Sequence, residues 1–157
     1  MPLERNAVNR LNVNMIVHPA VIVHGVADAA AALAPGLPVT LLSAPGAALY
    51  AGCLWWREMA AAARARHPHT QVIDILDCAD ASGMAMGALR SQVCRLVLAP
   101  HATGWKAVAA IAESQGGFVL PQPPIALDLA QRNAIRRLPG WLRSTSGTAG
   151  DSNLGVG

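Results

Sequence analysis

Seven side chains able to do chemistry fall just past stretches that read as β-strands: His24, Ser43, Asp77, Cys78, Asp80, Ser82 and His101. Ser43, Cys78 and Ser82 are nucleophile types, His24 and His101 are base types, and Asp77 and Asp80 are carboxylates that can orient a base. Together they are the raw material of Ser/Cys-His-Asp chemistry. The set selected for catalysis is Ser43, Cys78, His101 and Asp80, with His24, Gly46, Asp77 and Ser82 as a ligand-binding rim. No GxSxG elbow accompanies them, and short polar residues are also what turns are made of. The same residues therefore describe a non-catalytic binding edge equally well.

Two further chemistries fit the same residues. His24, Asp77, Asp80 and His101 form a nitrogen/oxygen set suited to zinc or manganese, but no HxxxH or HxH spacing supports it and no metal is assigned. Ser43 to Gly46 and Asp80 to Gly83 both put small residues at a helix beginning, where free backbone N–H groups hold anions. Asp77 and Asp80 would repel phosphate at the second, which leaves the first as the better candidate. His67 and His69, beside Pro68, read as favourable contacts with a helix carboxyl terminus. The sequence specifies no cofactor.

Positioning falls to the stretch from Thr70 to Leu98. Val72, Ile73, Ile75 and Leu76, broken only by Asp74, have the pattern of a strand covered on both faces, as in a parallel sheet. Turn formers from Asp77 to Gly83 follow, with Ser82 as the expected cap of a helix carrying Met84, Met86 and Leu89 inward. Arg95 to Leu98 is the next strand. Such a crossover is right-handed, so the Asp77 to Ser82 turn lies at the carboxyl end of the sheet, where open α/β folds bind ligands.

On either side the chain repeats this alternation. Ala20 to Val23 and Pro38 to Leu42 read as strands, with a short alanine-rich helix between them that Asp28 caps and Pro35-Gly36 stops. A long helix is expected from about Ala47 to Arg66, its inward stripe formed by Leu49, Cys53, Trp56, Ala60 and Ala63, with His67-Pro68 as its end. Thr103 looks like the cap of a helix to Gln115, which Gly116-Gly117 stops; Phe118 to Leu120 is a fifth strand. An amphipathic helix is expected from Ile125 to Leu138, broken by Pro139-Gly140. Residues 1–19 form an amino-terminal arm with an edge strand at Asn14 to Val17, 20–143 an α/β domain, and 144–157 a Gly/Ser/Thr-rich tail with the composition of disorder. The expected architecture is a three-layer α/β sandwich: a mainly parallel sheet of about five strands with helices on both faces, in the flavodoxin-like or Rossmann-like range.

The turn Asp80-Ala81-Ser82-Gly83-Met84, after a strand and opening a helix, is similar to the Asp-Ser/Thr-Ser-Gly turn of STAS domains, the anti-sigma-factor antagonist family. The likeness covers those few residues. It implies a regulatory domain in which a partner kinase phosphorylates Ser82, adding negative charge at a helix start.

Composition narrows the function classes. The 157 residues are 53% apolar and 13% charged, against typical values of about 45–50% and about 25%; the excess, much of it alanine, points to a homo-oligomer, with Trp55 a candidate subunit contact. Residues 1–130 hold equal numbers of basic and acidic side chains, so the net +3 comes from Arg132, Arg136, Arg137 and Arg143 against Asp151. A neutral core with a single lysine is poor footing for nucleic acid. No apolar run reaches the ~18–20 residues of a membrane span, and the amino terminus lacks a secretion signal, so stable membrane insertion is not expected and a cytoplasmic location is. Three cysteines without a CxxC read as reduced thiols. The leading functional reading is a self-associating module that binds a small molecule or protein at the carboxyl edge of its sheet; the alternative is a small hydrolase or lyase.

Overall fold

The computed structural model describes residues 18–144; the edge strand expected at Asn14 to Val17, with most of the amino-terminal arm, and the tail from residue 145 lie outside the described residues. Six strands form one sheet: β1 (Ala20–Val23), β2 (Val39–Ser43), β3 (Val72–Asp77), β4 (Arg95–Val97), β5 (Phe118–Leu120) and β6 (Ala126–Asp128). Their order is β5-β4-β3-β2-β1-β6 and every neighbouring pair is parallel. Among the described residues six helices accompany them: α1 (Val26–Leu33), α2 (Ala47–Tyr50), α3 (Cys53–Arg66), α4 (Ser82–Arg90), α5 (Trp105–Ser114) and α6 (Ala134–Ser144). The fold is α/β on a parallel sheet, as expected, with six strands where the sequence reading expects about five; the described helices all contribute to the cluster on one face, where that reading expects helices on both.

Side-chain alternation along the strands divides the interior. Val21, Leu41, Leu76, Leu96 and Leu127 point into the larger cluster, to which all six helices contribute. Leu42, Ile75 and Val97, flanked by Ile22, Phe118 and Leu120, form a smaller cluster on the opposite face, drawn among the described residues from strands alone. The strand order accounts for this: from β1 to β5 each new strand is added on the same side, and successive right-handed crossovers then put their helices on one face.

Four sequence expectations change. The long helix from Ala47 to Arg66 is two helices, because Gly52 sits at φ 89°, a left-handed value that interrupts a helix and suits glycine. Leu49, expected to lead the inward stripe, is 51% exposed on the short α2, while Trp56, Met59, Ala60 and Ala63 of α3 are buried. The helix expected from Ile125 is instead the edge strand β6, paired with β1, and helix begins only at Ala134, running through Pro139. A proline there removes one backbone hydrogen bond. Burial of Leu138 and Leu142, and the Trp141 indole N–H donating to the Ala20 carbonyl at 2.8 Å, hold the helix through it.

The expected caps differ too. Ala81 and Gly104, neither with a side-chain capping bond, occupy the positions ahead of α4 and α5, so Ser82 and Thr103 are not the caps. Asp28 lies inside α1, where its carboxylate accepts the His24 backbone N–H at 2.9 Å, ahead of the N-cap position at Gly25. In α4 the buried residues are Ala85, Ala88 and Leu89, and Met84 faces out. Glycine is required at 117 by a close approach: a Cβ there would lie 1.9 Å from the Cys94 carbonyl oxygen, where β4 and β5 begin.

Candidate functional site

At the carboxyl ends of β2 to β5 the chain leaves a cleft of about 630 Å³, within the range of small-molecule sites. Pro45 and Gly46 follow β2, Asp77, Ala79 and Asp80 close β3, Val97, Ala99 and His101 belong to β4 and its exit, and Pro121 to Pro123 follow β5. Of the residues singled out from sequence, Gly46, Asp77, Asp80 and His101 therefore meet in one place. Prolines on two sides fix the backbone of the walls.

Asp77 is the most buried polar side chain of the cleft. It is 5% exposed, and its Oδ1 accepts the backbone N–H of Gly46 at 3.2 Å and of Ala79 at 2.8 Å. The other oxygen, Oδ2, takes no hydrogen bond from the described residues. Ala79 adopts φ 51°, a left-handed conformation rare for a residue with a side chain, and is held in it by the bond to Asp77 and by accepting the Ala99 N–H at 2.8 Å. Strain of about 1–2 kcal/mol persists only where surroundings over-determine it, and it concentrates at binding and catalytic sites. Asp80 and His101 stand at the mouth, 3.6 Å apart with side chains 66% and 74% exposed, where solvent screens their attraction.

The nucleophile candidates are placed differently. Ser43 is buried; its Oγ accepts the Asp77 N–H at 2.9 Å and donates to the Ala44 carbonyl at 3.1 Å. Cys78 is fully buried in the larger core cluster, and desolvation, then the nearby Asp77 and Cys53 charges, push its thiol up to about 12, so the thiolate that would attack a substrate is suppressed. Neither lines the cleft. Ser82 is tied across the β3 and β4 exits, its hydroxyl donating to the Thr103 carbonyl at 2.5 Å.

His24 lies elsewhere along the same edge. In this strand order β1 and β4 are three positions apart, about 14 Å at the usual strand spacing, and the imidazole Nε2 of His24 is bonded to Asp128 Oδ1 at 2.6 Å. Asp128 escapes sequence reading because the three residues of β6 fall within the stretch whose pattern predicts helix. The set His24, Asp77, Asp80 and His101 is thus divided, and no group of three or more metal-ligating side chains converges among the described residues. Of the two helix starts considered for anions, the first leads only the four-residue α2, and its Gly46 N–H is already given to Asp77. The remaining cleft residues, Pro45, Ala79, Val97, Ala99 and Pro121 to Pro123, were missed because their types carry no chemistry, although their positions just past strand ends were readable.

Comparison with known proteins finds no match to a family model, a curated protein or a solved structure. The likeness of Asp80 to Met84 to the STAS turn rests on those residues alone. No helix among the described residues is long and apolar enough to cross a membrane.

Proposed function

We propose that this protein is a binding module, and that the cleft at the carboxyl edge of its sheet holds a small molecule without forming a covalent bond to it. The observation that carries this reading is the division between the two sets of polar groups. Asp77, Asp80 and His101 border an open cleft with proline walls, while the hydroxyl of Ser43 and the thiol of Cys78 are turned to internal structural use. A walled cleft loses little freedom when a ligand enters, which favours affinity. Titration of ¹⁵N-labelled protein with a library of small fragments tests this: shifts should concentrate on the amides of Gly46, Ala79 and Ala99. Fragment shifts confined to other surfaces would overturn the reading, as would ester or thioester hydrolysis that vanishes in Ser43→Ala.

A specific feature also supports self-association. Leu49, Tyr50, Leu54 and Trp55 are 51%, 69%, 55% and 37% exposed within one short stretch joining α2 to α3, and clustered apolar surface of this kind marks contact sites. The occupant proposed is a second copy of the chain. Light scattering on the full chain should give a mass above that of one copy, reduced to one copy in Leu54→Asp; a monomeric wild-type protein sinks the idea.

A further inference from the structure

We infer that the cleft selects a cationic ligand, a compact apolar body bearing an amine or amidine, and rejects carboxylates and phosphates. This inference rests on the binding reading above and names the chemistry of that site. Among the described residues its lining contains two carboxylates, Asp77 and Asp80, and no lysine or arginine; the one basic side chain among them, His101, is already beside Asp80 at 3.6 Å. With a neutral imidazole the lining carries two negative charges, and with a protonated one it still carries a net negative charge.

The position of Asp77 gives that charge a direction. A carboxylate that is almost completely buried needs hydrogen-bond donors to offset its lost hydration. The protein supplies two, both to Oδ1, and supplies none from the described residues to Oδ2, in a side chain that lines the cleft. The complement of an acceptor in that position is a donor carrying positive charge, because charge-assisted N–H···O bonds are about twice as strong as neutral ones. Around it, Pro45, Val97, Ala79, Ala99 and Pro121 offer apolar contact to a hydrocarbon or aromatic body. An anion would meet the same carboxylate with like charge, at a site where desolvation magnifies the repulsion.

Three probes with one apolar body and different charge test this: benzamidine, benzamide and benzoate, each titrated into the full-length protein and followed by the amide shifts of Gly46, Ala79 and Ala99. Benzamidine should bind roughly tenfold or more tighter than benzamide, the usual scale of one hydrogen bond to a charged group, and benzoate should not bind. Asp77→Asn keeps an oxygen for the Gly46 and Ala79 N–H groups and removes the buried charge, so the folded variant should lose most of the preference for benzamidine over benzamide, keeping only the severalfold part that Asp80 supplies. Should Asp77→Asn fail to fold, Asp80→Asn, at an exposed position, should still narrow the preference severalfold. Equal binding of all three probes, or preference for benzoate, overturns the cation inference and leaves the binding reading intact. Cleft shifts with none of them at millimolar concentration overturn the cation inference; the broader fragment library then decides the binding reading separately.

Discussion

The Oγ of Ser43, the last residue of β2, accepts the backbone N–H of Asp77, the last residue of β3, at 2.9 Å. The parallel ladder between these strands runs from Val39 opposite Val72 to Leu42 opposite Ile75. The serine side chain thus adds one link beyond the last paired residues and fixes the height at which Asp77 enters the cleft. A hydroxyl at this position is a structural acceptor, and removing it leaves a buried N–H without a partner. Ser43→Ala should therefore lower stability by about 1–3 kcal/mol, the usual penalty for an orphaned buried polar group, read from the midpoint of urea unfolding. A variant as stable as the wild type would show that the bond contributes nothing and would reopen a chemical role for Ser43.

Burial, followed by the charges of Asp77 and Cys53, raises the Cys78 thiol from its ordinary 9.0 to about 12. The unfolded chain releases this proton near 9.0 and the folded chain only near 12. Between those values the native state binds more protons, so this group lowers stability as pH climbs through the window and has no effect below it. At neutral pH the consequence is kinetic. Cys53 and Cys94 are partly exposed and Cys78 is buried, so a thiol reagent should modify two cysteines of the native protein quickly and the third only with denaturant. Rapid labelling of all three would mean that the region opens and that Cys78 is accessible to substrates.

How far the sequence carries can be judged from β3 and β6. Val72 to Asp77 was legible because a run buried on both faces has no polar alternation, and its flanking turns carry Asp, Ser and Gly; from it followed the parallel sheet and the edge where Gly46, Asp77, Asp80 and His101 meet. Ala126 to Asp128 was not legible. Three residues hold too little periodicity to separate strand from helix, and what fixes them is tertiary, the ladder to Ala20 to Ile22. The same limit hid Asp128 as the partner of His24. The roles of Ser43 and Cys78 were obscured differently: residue type announces a nucleophile, whereas the hydrogen bond that occupies the hydroxyl and the core that encloses the thiol depend on strands distant in sequence.

Helices α4 and α5 end in the same way with different residues. After α4, Gln92 donates its N–H to Leu89 and Val93 to Ala88; after α5, Gly116 donates to Glu113 and Gly117 to Ala112. These are paired Schellman bonds, which require a left-handed residue just past the cap. Gly116 supplies it at φ 82° without strain, and Gln92 adopts φ 63° at a steric cost of about 1–2 kcal/mol. Glycine at 92 would relieve that cost and give back about 0.5–1 kcal/mol through the entropy of the unfolded chain. Gln92→Gly should then raise stability by roughly 0.5–1 kcal/mol, while Gly116→Gln should lower it by a similar amount. Calorimetry on both decides the matter: a destabilised Gln92→Gly would show that the Gln92 side chain makes a contact worth more than the strain.

The His24–Asp128 pair joins the exit of β1 to the exit of the edge strand β6. Partial burial pushes the Asp128 carboxyl up, but the bond to His24, the Ala130 N–H and the His24 charge outweigh it and hold the group below its ordinary 3.8. A carboxyl that is more acidic folded than unfolded adds stability above its unfolded pKa, and that contribution fades as pH falls through the folded value. The pair is partly exposed, with side chains 37% and 28% accessible, so solvent limits the effect to about 1 kcal/mol or less. The loss should be local, since among the described residues β6 is joined to the sheet only through β1. Hydrogen-exchange protection of the Leu129 amide, which donates to the Ile22 carbonyl, should fall below pH 4 while that of β2 and β3 holds. In Asp128→Asn the same amide should be less protected at neutral pH and lose this acid dependence. If β6 and β2 lost protection in parallel in the wild-type protein, global unfolding rather than release of the edge strand would be the acid-sensitive step.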